Sequence, residues 1–536
     1  MMASCPSRLK WTILVVLIAL VALAFRLPRL DQRPMHGDEA NQAVRTGILL
    51  DTGTYHYDPT DHHGPVLYFS ALPFCRATAK TFAQTTEWNY RLIPVTFSVF
   101  TLFLMAGLGT KRGLGLFDNR GGLVTAMLLT AVSPAMVYYS RFFIQETMFV
   151  TFLTGMLFCA VRYVSVRSSD WSSSPSAAWY AMGFGAFAGL AAATKETVIL
   201  SFAAATVAAI AACGFRRLLG AWKTSHALIA LSTATVVSVL LFSSFLTYPK
   251  GVHDALFSTF SAYLTRATAV PEHQHPWFFY LKIIFWFKYG KGPVWSEAGL
   301  LLPGLVAIIA AFWRSARVAA DSSAHVRWLR FLVIYTVTLT ALYSAIPYKT
   351  PWCALSFLHG CILLAGVGTG IVLAGLARLP KPRRVVGYTV LLLLIGGVVV
   401  RHVSQTYRAC FKLAADPRNP YVYAHTGTDA MNLVAEVEKA ARNNAGFDTL
   451  IAIAVPTPDT WPLPWYLRKY RQVGYWTRIE DIPESVHPAV VIASAEQGEV
   501  ADARFGQGKR ASFFGIRPGV LLNVFVPVDA AAGKRE

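Results

Sequence analysis

The chain is poor in acid. It holds 29 Asp and Glu against 49 Lys and Arg, and charged residues of all kinds make up only 15% of its 536 positions. So little charge beside 54% hydrophobic residues, with a mean hydropathy of +0.43, excludes both a soluble globular protein and a disordered one. Cysteine is sparse and scattered. Cys5, Cys75, Cys159, Cys213, Cys353, Cys361 and Cys410 include no CxxC pair, so neither a closed zinc site nor a disulfide framework is indicated. A Gly-rich phosphate fingerprint is missing from residues 403–536, and the chain lacks the internal repeat that would mark an inverted-repeat transporter.

What is present is a series of apolar runs near the length that crosses a bilayer. The first, 11–25, is short and has the outline of a signal peptide; it is read here as a retained helix. Ten more spans are expected at about 91–109, 121–139 and 147–164, two within 179–213, and then at about 226–247, 298–313, 331–346, 353–376 and 385–401. Loops rich in Lys and Arg alternate with loops holding Asp, Glu and His, which places the N-terminus in the cytoplasm by the positive-inside rule. The net charge of +20 thus reports topology, not nucleic acid. Residues 66–83 and 277–288 read as interfacial segments. Val252, Ala255, Leu256, Thr259, Phe260, Tyr263 and Leu264 form one face of an amphipathic helix.

Beyond residue 403 the apolar runs shorten. Strands are expected at 449–455, 489–494 and 519–528, and helices at 429–443 and 464–471. The fold class expected is therefore a polytopic α-helical membrane protein with a C-terminal extracytoplasmic α/β domain. Its membrane domain covers 1–402, with large outer loops at 26–90 and 248–297, and its soluble domain covers 403–536. The location expected is the cytoplasmic (inner) membrane of the cell, with many passes.

The polar motifs fall on one side of this threading. They are Asp38-Glu39, Tyr57-Asp58 through His62-His63-Gly64-Pro65, Ser140-Arg141 with Glu146, Lys195-Glu196 and Tyr348-Lys349. A substrate bound at the outer interface would gather them. Asp38 and Glu39, just past a membrane exit, are suited to a base and its partner, to metal ligation, or to the charge of a helix N-terminus. The histidines 36, 56, 62 and 63 with nearby Asp residues could hold a divalent cation, but their spacing matches no closed zinc pattern. No other cofactor is called for. Arg141 reads either as a snorkelling anchor or as a guanidinium fork for phosphate, and Lys195 and Lys349 carry the same two readings. Glu146 opens a helix, where an acid is favourable in any case.

Several of these motifs resemble the glycosyltransferase C superfamily, which includes protein O-mannosyltransferases and aminoarabinose transferases. The likeness lies in the acidic motif of the first outer loop, Tyr138-Tyr139-Ser140-Arg141 with Glu146 five residues on, and Ala193-Thr194-Lys195-Glu196-Thr197. Further stretches resemble a prokaryotic family of flippase-activity-associated glycosylation proteins: Arg33-Pro34-Met35-His36-Gly37-Asp38-Glu39-Ala40, His63-Gly64-Pro65, His275-Pro276-Trp277, Tyr348-Lys349-Thr350-Pro351-Trp352, Asn419-Pro420-Tyr421-Val422-Tyr423-Ala424-His425 and Trp461-Pro462-Leu463-Pro464-Trp465-Tyr466. The superfamily resemblance implies transfer of a sugar from a polyprenyl-phosphate donor to a glycan, lipid or protein acceptor outside the cytoplasm. It also implies that the first-loop carboxylate, Asp38, is the base. Glu39 and Glu146 are then further catalytic acids. Arg141, Lys195, Glu196, Lys349, Tyr348, His62, His63 and Tyr57 are candidates for holding the substrate or its phosphate. A lipid phosphate leaves without a proton, so one base and a cation suffice, whereas a glycosidase needs a second acid at a defined separation. The family likeness also implies a rival role, in which the chain assists the flipping of polyprenyl-linked sugars and catalyses nothing.

Overall fold

In a computed structural model of the chain, residues 8–60, 63–109, 115–167, 175–259, 261–262, 265, 273–317 and 324–528 are described. Each of the eleven apolar segments forms a helix: Arg8–Arg26, Glu87–Ala106, Arg120–Val132, Glu146–Arg167, Pro175–Ala192, Val198–Cys213, Thr224–Phe242, Leu301–Arg317, Ala324–Ala345, Leu355–Leu376 and Lys381–Tyr407. Among the described residues, seven helices are long and apolar enough to cross a membrane. The pair Val198–Cys213 and Phe215–Ala221, bent by 104°, makes an eighth if taken as one span. Arg120–Val132 and Ala298–Trp313 are shorter. The protein is a multi-pass helical membrane protein.

The chain divides into two compact units: 1–28, 55–69 and 91–421 in one, and 29–54, 70–90 and 422–536 in the other. The boundary expected at 402 falls inside the helix Lys381–Tyr407, and the units part after Tyr421 instead. The second unit also takes in most of the first large loop, which sequence alone assigned to the membrane domain.

Small residues pack the helical unit. Gly185 and Gly189, one turn apart on 175–192, lie against the backbone of 224–242: a Cβ at Gly185 would sit 2.1 Å from the Ala230 carbonyl oxygen, and one at Gly189 2.6 Å from that of Ala234. In lipid, where apolar surface alone drives no association, such close approach is what holds helices together. Of the interfacial segments, 66–83 contains the helix Val66–Thr78, and 277–288 contains the seven-residue helix Phe279–Phe285. The expected amphipathic helix begins as Lys250–His253 and widens to a π-turn over Asp254–Ser258; Phe260, Tyr263 and Leu264 lie outside the described residues.

The second unit is built on a five-stranded mixed sheet, ordered β2-β1-β3-β5-β4, with β1 Ile451–Ala454, β2 Val473–Trp476, β3 Val490–Ser494, β4 Lys509–Arg517 and β5 Val520–Pro527. Strand β1 pairs in parallel with β2 and β3, and β5 is antiparallel to β3 and β4. Alternation along β1 sends Ile451 and Ile453 to a core with Ala430, Leu433 and Val437 of the helix Asp429–Arg442. Ala452 and Ala454 face Ile479, Ile482 and Ala501 on the other side. Strands β2 and β4 were not expected from the sequence, and the helix expected over 464–471 shrinks to Leu463–Tyr466. It stops because Arg468 turns its guanidinium over the Trp465 ring, 3.6 Å from the centroid, and donates to the carbonyls of Trp465 and Thr85.

Candidate functional site

Asp38 and Glu39, adjacent in sequence, have opposite surroundings. The helix Gly37–Thr52 begins with a capping box: His36 Nδ1 accepts from Asp38 N–H at 3.1 Å, while Glu39 Oε2 accepts from His36 N–H at 3.0 Å. Glu39 Oε2 also lies 2.8 Å from Arg33 Nη2, and the residue is 0% exposed. Both the ion pair and the cap commit its carboxylate. The Asp38 side chain is 53% exposed, and its Oδ2 lies 4.0 Å from His36 Nδ1. His36 is held in turn: Nε2 lies 2.9 Å from the Tyr423 carbonyl, and its ring meets that of His425 at 5.0 Å. Burial lowers the pKa of His425 well below its ordinary value, with the facing His36 acting in the same direction. One carboxylate is thus locked and the next is presented.

In the helical unit, Glu146, Lys195 and Cys353 converge. Lys195 Nζ stands 2.5 Å from Glu146 Oε1 and 3.5 Å from Cys353 Sγ, and all three polar groups lie at the heads of helices. Beside them the loop 63–66 runs against the turn at 193–194, with Gly64 N–H donating to the Thr194 carbonyl and Val66 N–H to that of Ala193. A Cβ at Gly64 would lie 2.1 Å from the Ala193 oxygen, so this approach needs glycine. The clip brings His63 Nδ1 to 2.9 Å from both Glu196 oxygens. Burial alone would push the Glu196 carboxyl up. The facing His63 ring, by charge and hydrogen bond, and then Lys195 outweigh that and hold it down to about 2. Lys195 and Glu196, adjacent on a turn, have separate partners.

The other expected cations hold backbone. Arg141, buried, donates to the carbonyls of Phe25 at 3.1 Å and Arg26 at 2.7 Å and stacks on Phe411. Lys349 Nζ donates to the carbonyls of His275 at 3.0 Å and of Ile346. Tyr348 packs its ring on His273, and Tyr57 Oη meets Thr259 Oγ1 at 2.9 Å. His62 lies outside the described residues. Among the described residues, no three of His, Cys, Asp and Glu are grouped to hold a metal ion.

Below the Glu146–Lys195–Cys353 cluster opens a cavity of about 630 Å³. Its upper wall comes from the next turns of the three helices that the cluster heads: Val150, Ser201 and Ser356. Along the helix Glu146–Arg167 it extends to Val164, roughly 21 Å at 1.5 Å per residue. The lining is mostly apolar. Buried His359, whose Nε2 has no partner among the described residues, faces it, and Arg217 and Arg327 line its far end.

Two buried groups were passed over at the sequence level as site residues. Cys353 has no signal beyond its place after Trp352. Glu297 stands before an apolar run, and its oxygens accept from Ser133 Oγ at 2.7 Å, Ala135 N–H at 3.2 Å and Tyr421 Oη at 3.1 Å. Burial pushes its carboxyl up to about 7 against those hydrogen bonds.

Residues 63–248 match the family model described as dolichyl-phosphate-mannose-protein mannosyltransferase. The chain is similar in fold to the crystal structure of ArnT from Cupriavidus metallidurans bound to undecaprenyl phosphate, with a TM-score of 0.63 at 15% identity over 96% of this chain and 98% of that one. It is also similar to the Archaeoglobus fulgidus oligosaccharyltransferase tethered to an acceptor peptide, with a TM-score of 0.54 at 12% identity over 95% of this chain and 74% of that one. The same archaeal enzyme in complex with an inhibitory peptide and a dolichol-phosphate gives 0.52 at 12% identity, over 95% and 74%. No relative is found among the curated proteins.

Proposed function

We propose that this chain is a glycosyltransferase that takes a sugar from a polyprenyl-phosphate donor and passes it to an acceptor hydroxyl at the outer face of the cytoplasmic membrane. The observation that carries this reading is the apolar cavity headed by a buried ammonium. The long, mostly apolar lining fits an isoprenoid chain, and on the turn above it Lys195 has a third N–H, beyond those given to Glu146 and Cys353, for a phosphate. The likeness to a structure holding undecaprenyl phosphate supports the same ligand class.

Asp38 is the base in this reading. It takes the proton of the acceptor hydroxyl as the oxygen bonds to the anomeric carbon, and the bond from that carbon to the phosphate oxygen breaks. The phosphate departs with the electron pair and needs no proton, so a cation bound to the phosphate is the only further help required. Glu39 is a positioning residue, since its carboxylate is committed to Arg33 and the His36 N–H. Glu146 keeps Lys195 charged and aimed. Arg141 and Lys349 serve the backbone rather than the phosphate. In this reading the N-terminus lies in the cytoplasm and the β-sheet unit outside, which the alternation of Lys- and Arg-rich loops supports.

The test is transfer from a polyprenyl-phosphate sugar by the purified chain reconstituted in lipid vesicles, wild type against Asp38→Asn. Full activity in the variant removes Asp38 as base. If the wild type transfers nothing, and cells lacking the chain accumulate donor lipid on the cytoplasmic leaflet, the flippase-assisting role replaces the enzyme.

A further inference from the structure

The cavity under the Glu146–Lys195–Cys353 cluster has a second end, which the proposed chemistry does not use. The helix Val198–Cys213 runs down one wall and stops at Gly214, whose φ of +78° costs a glycine little. The next helix, Phe215–Ala221, leaves at 104° to it. A helix nearly perpendicular to a span lies along the membrane surface. Its sequence suits that place: Arg217, Leu218 and Ala221 line the cavity, while Phe215 and Leu219 are 61% and 67% exposed. Arg217 is both exposed and part of the lining, so the cavity opens there.

This mouth is tied down. Arg167 Nη1 donates to the Ala221 carbonyl at 3.3 Å, and Lys223 N–H donates to Tyr163 Oη at 3.2 Å. The Trp222 ring stacks on that of Tyr163, 4.4 Å between centroids, and both rings line the cavity. Tryptophan at such a depth is usual where a span meets the headgroups. Arg327, on the first turn of the helix Ala324–Ala345, belongs to the same end. Its charge and that of Arg217 both reach the Cys213 thiol, so the two guanidiniums converge on one part of the lining. Among the described residues that line the cavity, none is acidic.

We infer that this mouth holds an anionic phospholipid of the adjoining leaflet, its phosphate on Arg217 and Arg327 and one acyl chain in the slot beside Trp222 and Trp328. Basic pockets between transmembrane helices recognise lipid head groups by this combination of charge and apolar wall, and a guanidinium fork matches a phosphate. Free phosphate would meet the arginines and leave the wall beneath them uncovered. A zwitterionic lipid would set its own cation beside theirs. In the orientation proposed above the leaflet is the cytoplasmic one. The site stands apart from Lys195, which heads the opposite end.

Native mass spectrometry of the full chain, delipidated in detergent and without donor, tests it by titration with dioleoyl phosphatidylglycerol and dioleoyl phosphatidylcholine. The first phosphatidylglycerol binds more tightly than phosphatidylcholine by about fivefold or more. Arg217→Gln and Arg327→Gln each weaken it about fivefold, the worth of one basic residue at a lipid surface. Arg217 is exposed, so its variant carries the test if the other does not fold. Ala209→Trp, which fills the slot behind the mouth, also weakens it. The control Arg383→Gln/Arg384→Gln, a basic pair at the head of the helix Lys381–Tyr407, leaves it unchanged. Equal affinity for the two lipids, an equal loss in the control pair, or full binding in Ala209→Trp overturns the assignment. Lys195→Met leaves phosphatidylglycerol binding intact. If that variant also bound polyprenyl phosphate as wild type does, the donor reading would lose its cation while the phospholipid site stood.

Discussion

Two pairs of charged neighbours, one in each unit, show how differently the chain treats a carboxylate. At the start of the helix Gly37–Thr52 it buries one acid against Arg33 and leaves the next half in water. At the heads of the transmembrane helices it buries Glu146 and Lys195 together, both almost wholly out of solvent. A buried ion pair gains little net stability, because desolvation cancels most of its attraction, but removing one partner strands the other. In the reaction proposed above, the exposed acid is the one that meets the acceptor, and the buried pairs hold geometry.

The sharpest way to break this comparison is at Asp38. Asp38→Asn is expected to lower transfer by about 10²–10⁴-fold with the melting temperature held. A variant that lost stability instead would make Asp38 a structural acid like its neighbour. Next is Lys195→Met, which strands Glu146 and is expected to cost about 3–5 kcal/mol in denaturant-induced unfolding; adding Glu146→Gln returns most of it. If the double variant is no more stable than the single, the pair is not the closed unit described. Glu39→Gln should cost about 1–3 kcal/mol, by weakening the Arg33 contact and the cap, and should spare activity per folded molecule.

Smaller effects follow from pH. The Glu196 carboxyl is held down to about 2 against an ordinary value of 4.5, so its contribution is present above 4.5 and is lost as pH falls from there through 2. The melting-temperature advantage of wild type over Glu196→Gln should shrink across that range. Glu297 is the reverse case. Its carboxyl is pushed up to about 7, so the folded state holds its proton more tightly, and stability falls as pH rises from about 4.5 to 7. Glu297→Gln should gain on wild type over that interval, and equal pH profiles would contradict it.

The apolar helices were legible because length and composition suffice to mark a segment that lipid will accept. The capping box was legible in principle, since His36 and Glu39 have its spacing, but a histidine in place of Ser or Thr concealed it. Strand β2 is only Val473–Trp476 and lacks alternation, because Gly474 yields its side-chain space to Trp476. Strand β4 is an edge strand and opens on Lys509-Arg510, so it carries little of the apolar signal of its neighbours. The site residues were legible by type and not by role. That Arg141 and Lys349 would spend their donors on carbonyls depends on chain segments far away in sequence, which no local pattern records.

The clip at Gly64 has a meaning for descent. His63 meets Glu196 because one backbone lies directly on another, with no room at position 64 for even a methyl group. The residues on either side can vary as long as the chain path survives, whereas position 64 has a single solution. Among homologues gathered in future, those that keep both His63 and Glu196 should carry glycine there without exception. A lineage that lost the glycine should have released the histidine too.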